Sequence, residues 1–210
     1  MATVDQPRTI LGPADHGRRM SYDEFLRTEW TEGWGYELAR GVVVVTHIPG
    51  PDHGFIVGRL TELFVLYNVA HPGLIRYRAG GAECRLRLPG MQSDRHPDQA
   101  VYLRPRPRGP RVWERWVPDL VVEVVSKRGE DRDFVEKREE YLRIGVTEYW
   151  IIDPEARRMH VLSRRGDVWA ERVLGEADVH RTDLLPGLEV HVGAMIGDEP
   201  MDDADAIGDD

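Results

Sequence analysis

Leu120 to Val125 is an almost unbroken apolar, β-branched run, LVVEVV, of the kind found in strands covered on both faces, yet one carboxylate, Glu123, stands in its middle. An isolated buried charge is prohibitive, so Glu123 must be paired, hydrogen-bonded or metal-bound. Alternation puts Asp119, Val121, Glu123 and Val125 on one face of the strand. Further along, Phe134, Lys137, Tyr141 and Ile144 fall at i, i+3, i+7 and i+10, the inward stripe of an amphipathic helix, and the second place holds a lysine. Two of the three Pro-Asp pairs, Pro97-Asp98 and Pro118-Asp119, each open a strand. Asp98 precedes Glu123 by 25 residues, room for a strand, a connection and a second strand, whereas Asp119 shares the strand of Glu123. Adjacent strands would bring Asp98 and Glu123 together. Two carboxylates with open coordination positions suit Mg²⁺, with Mn²⁺ as a substitute, because Mg²⁺ prefers oxygen ligands and completes its shell with water and substrate phosphate. A lysine beside them could orient or activate an attacking water, or stabilise charge building up on phosphorus.

The elements that must hold these groups follow from the chain's punctuation. Val117 to Asp153 reads strand, charged connection, helix, strand: Gly145 stops the helix, and Glu148 to Asp153 is rich in Tyr, Trp and Ile. This is a βαβ-like unit. Upstream, Ser21 and Glu24 have capping-box spacing and predict a short helix to about Trp30, after a loosely ordered Met1 to Met20. The stretch YELARGVVVVT gives two strands around a turn at Ala39 to Gly41, with Glu37 in the first. His53 to Ala70 is a helix with one face of Ile56, Leu60, Leu63, Phe64 and Tyr67. Strands are predicted around Leu74 to Tyr77, at Glu83 to Leu88 and at Pro97 to Leu103, with Pro89 to Arg95 as a turn. Met159 to Ser163 and Val168 to Val173 form a hairpin, and Leu188 to Val192 is a last short strand.

The chain has 210 residues, enough for a single α/β domain, placed at residues 21–197. No run approaches the ~18 apolar residues of a membrane span, the start lacks a secretory pattern, and the one cysteine, Cys84, cannot form an internal disulfide, which together favour the cytoplasm. The formal net charge is −9, but seven acids lie between Asp198 and Asp210, a stretch without Lys or Arg that is expected to be disordered. The remainder is nearly neutral and contains a basic loop with Arg104, Arg106, Arg108, Arg111 and Arg115, compatible with DNA. No Walker A loop, GxGxxG, GxSxG or HExxH occurs, which removes the commonest nucleotide-cofactor, serine-hydrolase and zinc-hydrolase readings.

The ordered set Pro97-Asp98, Glu123-Val124-Val125-Ser126, Asp133, Lys137, Tyr141 and GVTEYW from Gly145 to Trp150 resembles the PD-(D/E)XK nuclease superfamily, and within it the Uma-two type of restriction-endonuclease-like proteins. The resemblance spans roughly Ser21 to Val192, with Tyr36-Glu37-Leu38, Gly41 and His53 included. It implies a mixed central β-sheet flanked by helices, Mg²⁺-dependent hydrolysis of DNA phosphodiesters and a homodimer. Asp98 and Glu123 would hold the metal, and Glu37 would be the accessory N-terminal acid. The superfamily's lysine, two residues after the acid, is here Val125, and Lys137 is the residue that would substitute. Candidate DNA contacts are Arg104, Arg106, Arg108 and Lys127.

Each residue also has a plain structural reading. Glu123 serves equally as a buried salt-bridge partner, Lys137 as a snorkelling lysine, Asp98 as a turn acid and Asp133 as a helix N-cap. The rival to an enzyme is a degenerate nuclease fold that binds nucleic acid or a protein, motivated by the valine at the motif lysine's place.

Overall fold

The computed structural model of the chain describes residues 9–126 and 132–197. In chain order these form β1 (Ile10–Leu11), α1 (Tyr22–Phe25), β2 (Glu29–Trp30), the hairpin β3 (Trp34–Ala39) and β4 (Val42–His47), and the long helix α2 (Pro51–Ala70). Short strands β5 (Tyr77–Ala79), β6 (Leu86–Leu88) and β7 (Ser93–Arg95) lead to β8 (Gln99–Tyr102) and β9 (Leu120–Val124). A π-helical turn over Arg132–Lys137 runs directly into an α-helical segment, Arg138–Ile144, and the two together are α3. Then come β10 (Glu148–Asp153), β11 (Arg158–Arg165), β12 (Val168–Gly175), β13 (Val179–Arg181), β14 (Glu189–His191) and α4 (Val192–Ile196).

The central sheet has the order β12-β11-β10-β9-β8-β5. β9 and β10 are parallel, joined across α3, and every other neighbouring pair is antiparallel, so the sheet is mixed as expected. Strand alternation divides its core into two faces. Leu120, Val122, Val124, Trp150 and Ile152 pack under Ile56, Leu60, Phe64 and Tyr67 of α2, while Val121, Tyr149 and Ile151 face Tyr141 of α3. Glu123 lies on the α3 face. A second sheet, β4-β3-β7-β6, carries Glu37 and Arg95. Among the described residues no helix is long and apolar enough to cross a membrane.

Several expectations are corrected. The helix predicted to reach Trp30 stops at Phe25, where Thr28 Oγ1 donates to the Phe25 carbonyl, and Glu29–Trp30 instead pair in parallel with Ile10–Leu11. The segment from Thr9 to Met20, expected to be loose, is part of the fold: Leu11 is fully buried and Arg19 bridges to Val42. Of the predicted turn at Pro89 to Arg95, only Pro89–Met91 turns, and Ser93–Arg95 is a strand with all three residues buried. Three polar residues in a row carry no strand signal, since what buries them is hydrogen bonding and ion pairing with residues outside the strand. The acidic stretch from Asp198 lies outside the described residues.

Candidate active site

Pro97 and Asp98 enter β8, and the register Gln99↔Val122 continued by one residue sets Asp98 directly opposite Glu123. Directly opposed residues of an antiparallel pair share a face. Asp98 Oδ2 accepts the Val124 backbone N–H at 2.8 Å and lies 3.1 Å from His53 Nε2, in the first turn of α2. Its Oδ1 has no hydrogen-bond partner among the described residues. Gly80 makes room for this arrangement, since a Cβ there would stand 2.0 Å from the Asp98 carbonyl oxygen.

Glu123 is deeper. Its side chain is 3% exposed against 18% for Asp98. Tyr141 donates to Glu123 Oε1 at 2.7 Å and Lys137 Nζ lies 2.9 Å from Oε2. Lys137 also stands 3.0 Å from Asp133 Oδ1 and 4.0 Å from Glu37 Oε1. The Asp133 contact is a charge pair rather than an aligned hydrogen bond, because that oxygen is buried without a hydrogen-bond partner. Asp133 is therefore not the N-cap the sequence suggested. It points inward beside Lys137, one helical turn away, within a π turn, a local widening frequent at functional sites.

Three acids thus lie within 4.0 Å of one ammonium, with Asp98 adding its charge from further off, and their electrostatics diverge. Burial pushes the Glu123 carboxyl up to about 8 despite the pull of Lys137, with Asp98, Asp133 and Glu37 adding to the rise. Asp133 is raised for the same first reason. Burial would by itself raise Glu37 too, but Lys137, Arg95 and the His96 N–H hold it down at about 2. Burial works against the Lys137 charge, yet Asp133, Glu123 and Glu37 outweigh it and keep its pKa above the ordinary lysine value. The excess of negative charge near Glu123 is what a cation would relieve.

The donor chemistry fits a divalent ion. Asp98 and Glu123 offer hard oxygens, and Asp98 Oδ1 is uncommitted among the described residues. Among those residues no three Asp, Glu, His or Cys side chains are grouped so as to hold an ion by themselves, so an ion here would draw the rest of its shell from water and substrate phosphate.

Beside this cluster sits a second one, missed by sequence reasoning. Arg95 is fully buried; its Nε donates to Glu140 Oε2 at 2.7 Å, and its Nη2 to Glu136 and to Glu140 Oε1 at 3.0 and 3.1 Å. Its Nη1 donates to Glu37 at 3.3 Å, so Glu37 links the two clusters. No signal in the sequence marks Arg95, because Ser-Asp-Arg does not read as a buried strand.

The structure therefore brings Asp98, Glu123, Lys137 and Glu37 together. It does not bring the basic loop to them. Arg104 pairs with Asp119 at 3.0 Å, and Arg106 and Arg108 are exposed beyond the far end of β8, eight and ten residues along the chain from Asp98. Lys127 lies outside the described residues.

Opposed strand carboxylates, an inward lysine on the crossover helix and a mixed sheet define the nuclease-like class that the sequence resembled. The chain belongs to the Uma2 family, described as "Putative restriction endonuclease", which it matches over residues 22–193. It is also similar in fold to the crystal structure of a "putative nuclease belonging to DUF820" from Anabaena variabilis, at 20% identity and a TM-score of 0.65, covering 84% of this chain and 97% of that one. No curated protein matches the chain.

Proposed function

We propose that the protein is a divalent-metal-dependent endonuclease hydrolysing phosphodiester bonds of DNA. The observation that carries this reading is Asp98 opposite Glu123 across β8 and β9, with Lys137 of α3 at 2.9 Å from Glu123. A family composed of nuclease-like proteins supports it. Asp98 and Glu123 would hold the ion, and Mg²⁺ or Mn²⁺ bound there would supply Lewis-acid polarisation of the phosphate and a water of lowered pKa. Val124 N–H and His53 fix the Asp98 carboxylate, and Tyr141 fixes that of Glu123. Lys137, kept cationic by its acids, works as a donor that orients the attacking water and meets negative charge on the phosphoryl oxygens, rather than as a base. Glu37, 4.0 Å from Lys137, is the further acid of the site. The assembly in this reading is a homodimer.

The competing reading, a nuclease fold that only binds nucleic acid or protein, is favoured by Val125 at the motif lysine's place. Two measurements separate them. Mg²⁺ or Mn²⁺ titrated calorimetrically should give heat that Asp98→Ala removes, and single-stranded, double-stranded and branched DNA should be cut with metal but not with chelator or by Glu123→Ala. No heat with DNA present, together with no cleavage, supports the competing reading.

A further inference from the structure

The basic loop between β8 and β9, remote from the acidic cluster, is not a plain solvated loop. Val112 to Glu114 form a short 3₁₀ turn that makes half-buried Trp113 a ridge beside buried Trp116, the two packed against Tyr77 and Tyr102 with ring centroids 5.2 Å apart for Tyr77 and Trp116, 4.3 Å for Tyr102 and Trp116 and 6.1 Å for Tyr77 and Trp113. An open groove lies on each side of that ridge, and both tryptophans line both grooves. The larger, about 560 Å³, is lined also by Arg76 and Arg106, and the smaller, about 310 Å³, by Arg87 and Arg143. Glu114 is the one acid among these lining residues, and Arg111 stands 3.8 Å from it. Arg87 Nε is buried without a hydrogen-bond partner among the described residues. Arg76, Arg106 and Arg143 are exposed, while Trp113 and Tyr77 are half-buried, so part of each ring stays open.

We propose that this ridge is an accessory binding surface for a single strand of nucleic acid, with Arg76 and Arg106 on its phosphates and Trp113 stacking a base. Local charge selects the occupant. A chain of net charge −9 gathers four groove arginines around aromatic rings, the pairing of basic groove and stacking platform that holds single strands without reading their sequence. The larger groove has the volume of a small-ligand pocket, enough for one splayed nucleotide. Its near edge, Tyr77, pairs with Tyr102, four residues and so roughly 13 Å along the strand from Asp98, about four base steps at the spacing of a stacked strand. The ridge thus favours substrates with a single-stranded stretch. The proposal shares the choice of nucleic acid with the nuclease reading, but its readout is binding, so it stands or fails whether or not the protein cleaves.

The test is anisotropy of a labelled 20-nucleotide single-stranded DNA across a salt series, in chelator, with wild type, Arg76→Ala/Arg106→Ala and Trp113→Ala, each first checked for an unchanged melting profile. The double variant should bind about tenfold more weakly at low salt and lose about 1 to 1.5 from the slope of log affinity against log salt. Trp113→Ala should bind about fivefold more weakly or worse at an unchanged slope. Hydrolysis of a phosphodiester too small to reach the ridge should be the same in all three. Wild-type affinity and slope in both variants overturn the proposal, and so does equal competition by inorganic polyphosphate, which has charge but no bases. Binding of an acidic peptide in place of DNA, with the same variant losses, would assign the surface to a protein partner and overturn it as well.

Discussion

The β8–β9 pair carries the same device at both ends. At one end Pro97 introduces Asp98, whose Oδ2 accepts the N–H of Val124, one residue past its opposite number Glu123. At the other Pro118 introduces Asp119, whose Oδ2 accepts the N–H of Leu103, also at 2.8 Å and one residue past its opposite number Tyr102. The local two-fold symmetry of an antiparallel ladder relates the two. Proline and aspartate therefore have a structural reason to be at each place, the carboxylate closing the ladder where proline cannot donate. What separates the ends is company. Asp119 Oδ1 is neutralised by Arg104, which is largely in solvent, and faces an apolar Tyr102. Asp98 Oδ1 is uncommitted among the described residues and faces a second buried carboxylate. A Pro-Asp pair is thus a fold element first, and becomes a candidate metal ligand only where the opposite strand supplies an acid.

The largest effects should come from breaking the end that has that company. Asp98→Asn keeps an oxygen for the Val124 N–H but loses the charge, so metal heat should vanish and cleavage fall by about 10²-fold or more with little change in melting temperature. Lys137→Ala should lower the cleavage rate by a similar factor, about 10²-fold or more, while sparing metal binding, as when one transition-state contact is lost. Lys127→Ala should change mainly DNA affinity. Cleavage at wild-type rate by folded Lys137→Ala, with Lys127→Ala inactive, would show that the helix lysine has been misassigned.

The neighbouring cluster should behave in the opposite way. Arg95→Ala strands Glu140 and Glu37 in a buried layer, a loss of about 3–5 kcal/mol and so roughly 10 °C or more in melting temperature. Metal binding per folded molecule should survive. If the variant melts like wild type, the guanidinium is not holding the layer together.

These contrasts explain what the sequence disclosed. Glu123 and Lys137 were legible because each interrupts an apolar pattern, and Asp98 because a second strand start lay at a workable distance. Sheet, crossover and hairpins followed from periodicity, and the positive-φ pair Arg40-Gly41 closed the β3–β4 turn where expected. Ser93–Arg95 and Glu140 were opaque, since a charged residue looks like surface until its partners, 45 residues away for Arg95 and Glu140, are known. Gly80 was opaque for a steric reason: the backbone it admits belongs to another strand.

Acid and base should pull on the two clusters in separate windows. Glu123 has a raised folded pKa, so its contribution is fully present below about 4.5 and is lost as pH rises through about 8. Glu37 is depressed, so its contribution is present above about 4.5 and is lost as pH falls toward about 2. Chelated protein should therefore lose melting temperature both as pH falls toward about 2 and as pH rises toward about 8. Glu123→Gln should flatten that upper limb and leave the acid limb intact. An upper limb equally steep in the variant would place its origin elsewhere.

The smallest effect should come from the silent end. Asp119→Asn retains an acceptor for the Leu103 N–H and loses only the ion pair with Arg104, whose side chain is 61% exposed. Screened pairs of that kind contribute about 0–1 kcal/mol, so the melting temperature should move by no more than about 2–4 °C, and less at higher salt. Cleavage and metal heat should match wild type, because no acid faces Asp119 across the ladder. The paired measurement with Asp98→Asn makes the comparison decisive: the two substitutions make the same chemical change to the same backbone device. Equal losses of cleavage would mean that the ladder's closure, and not the charge opposite Glu123, is what the activity needs.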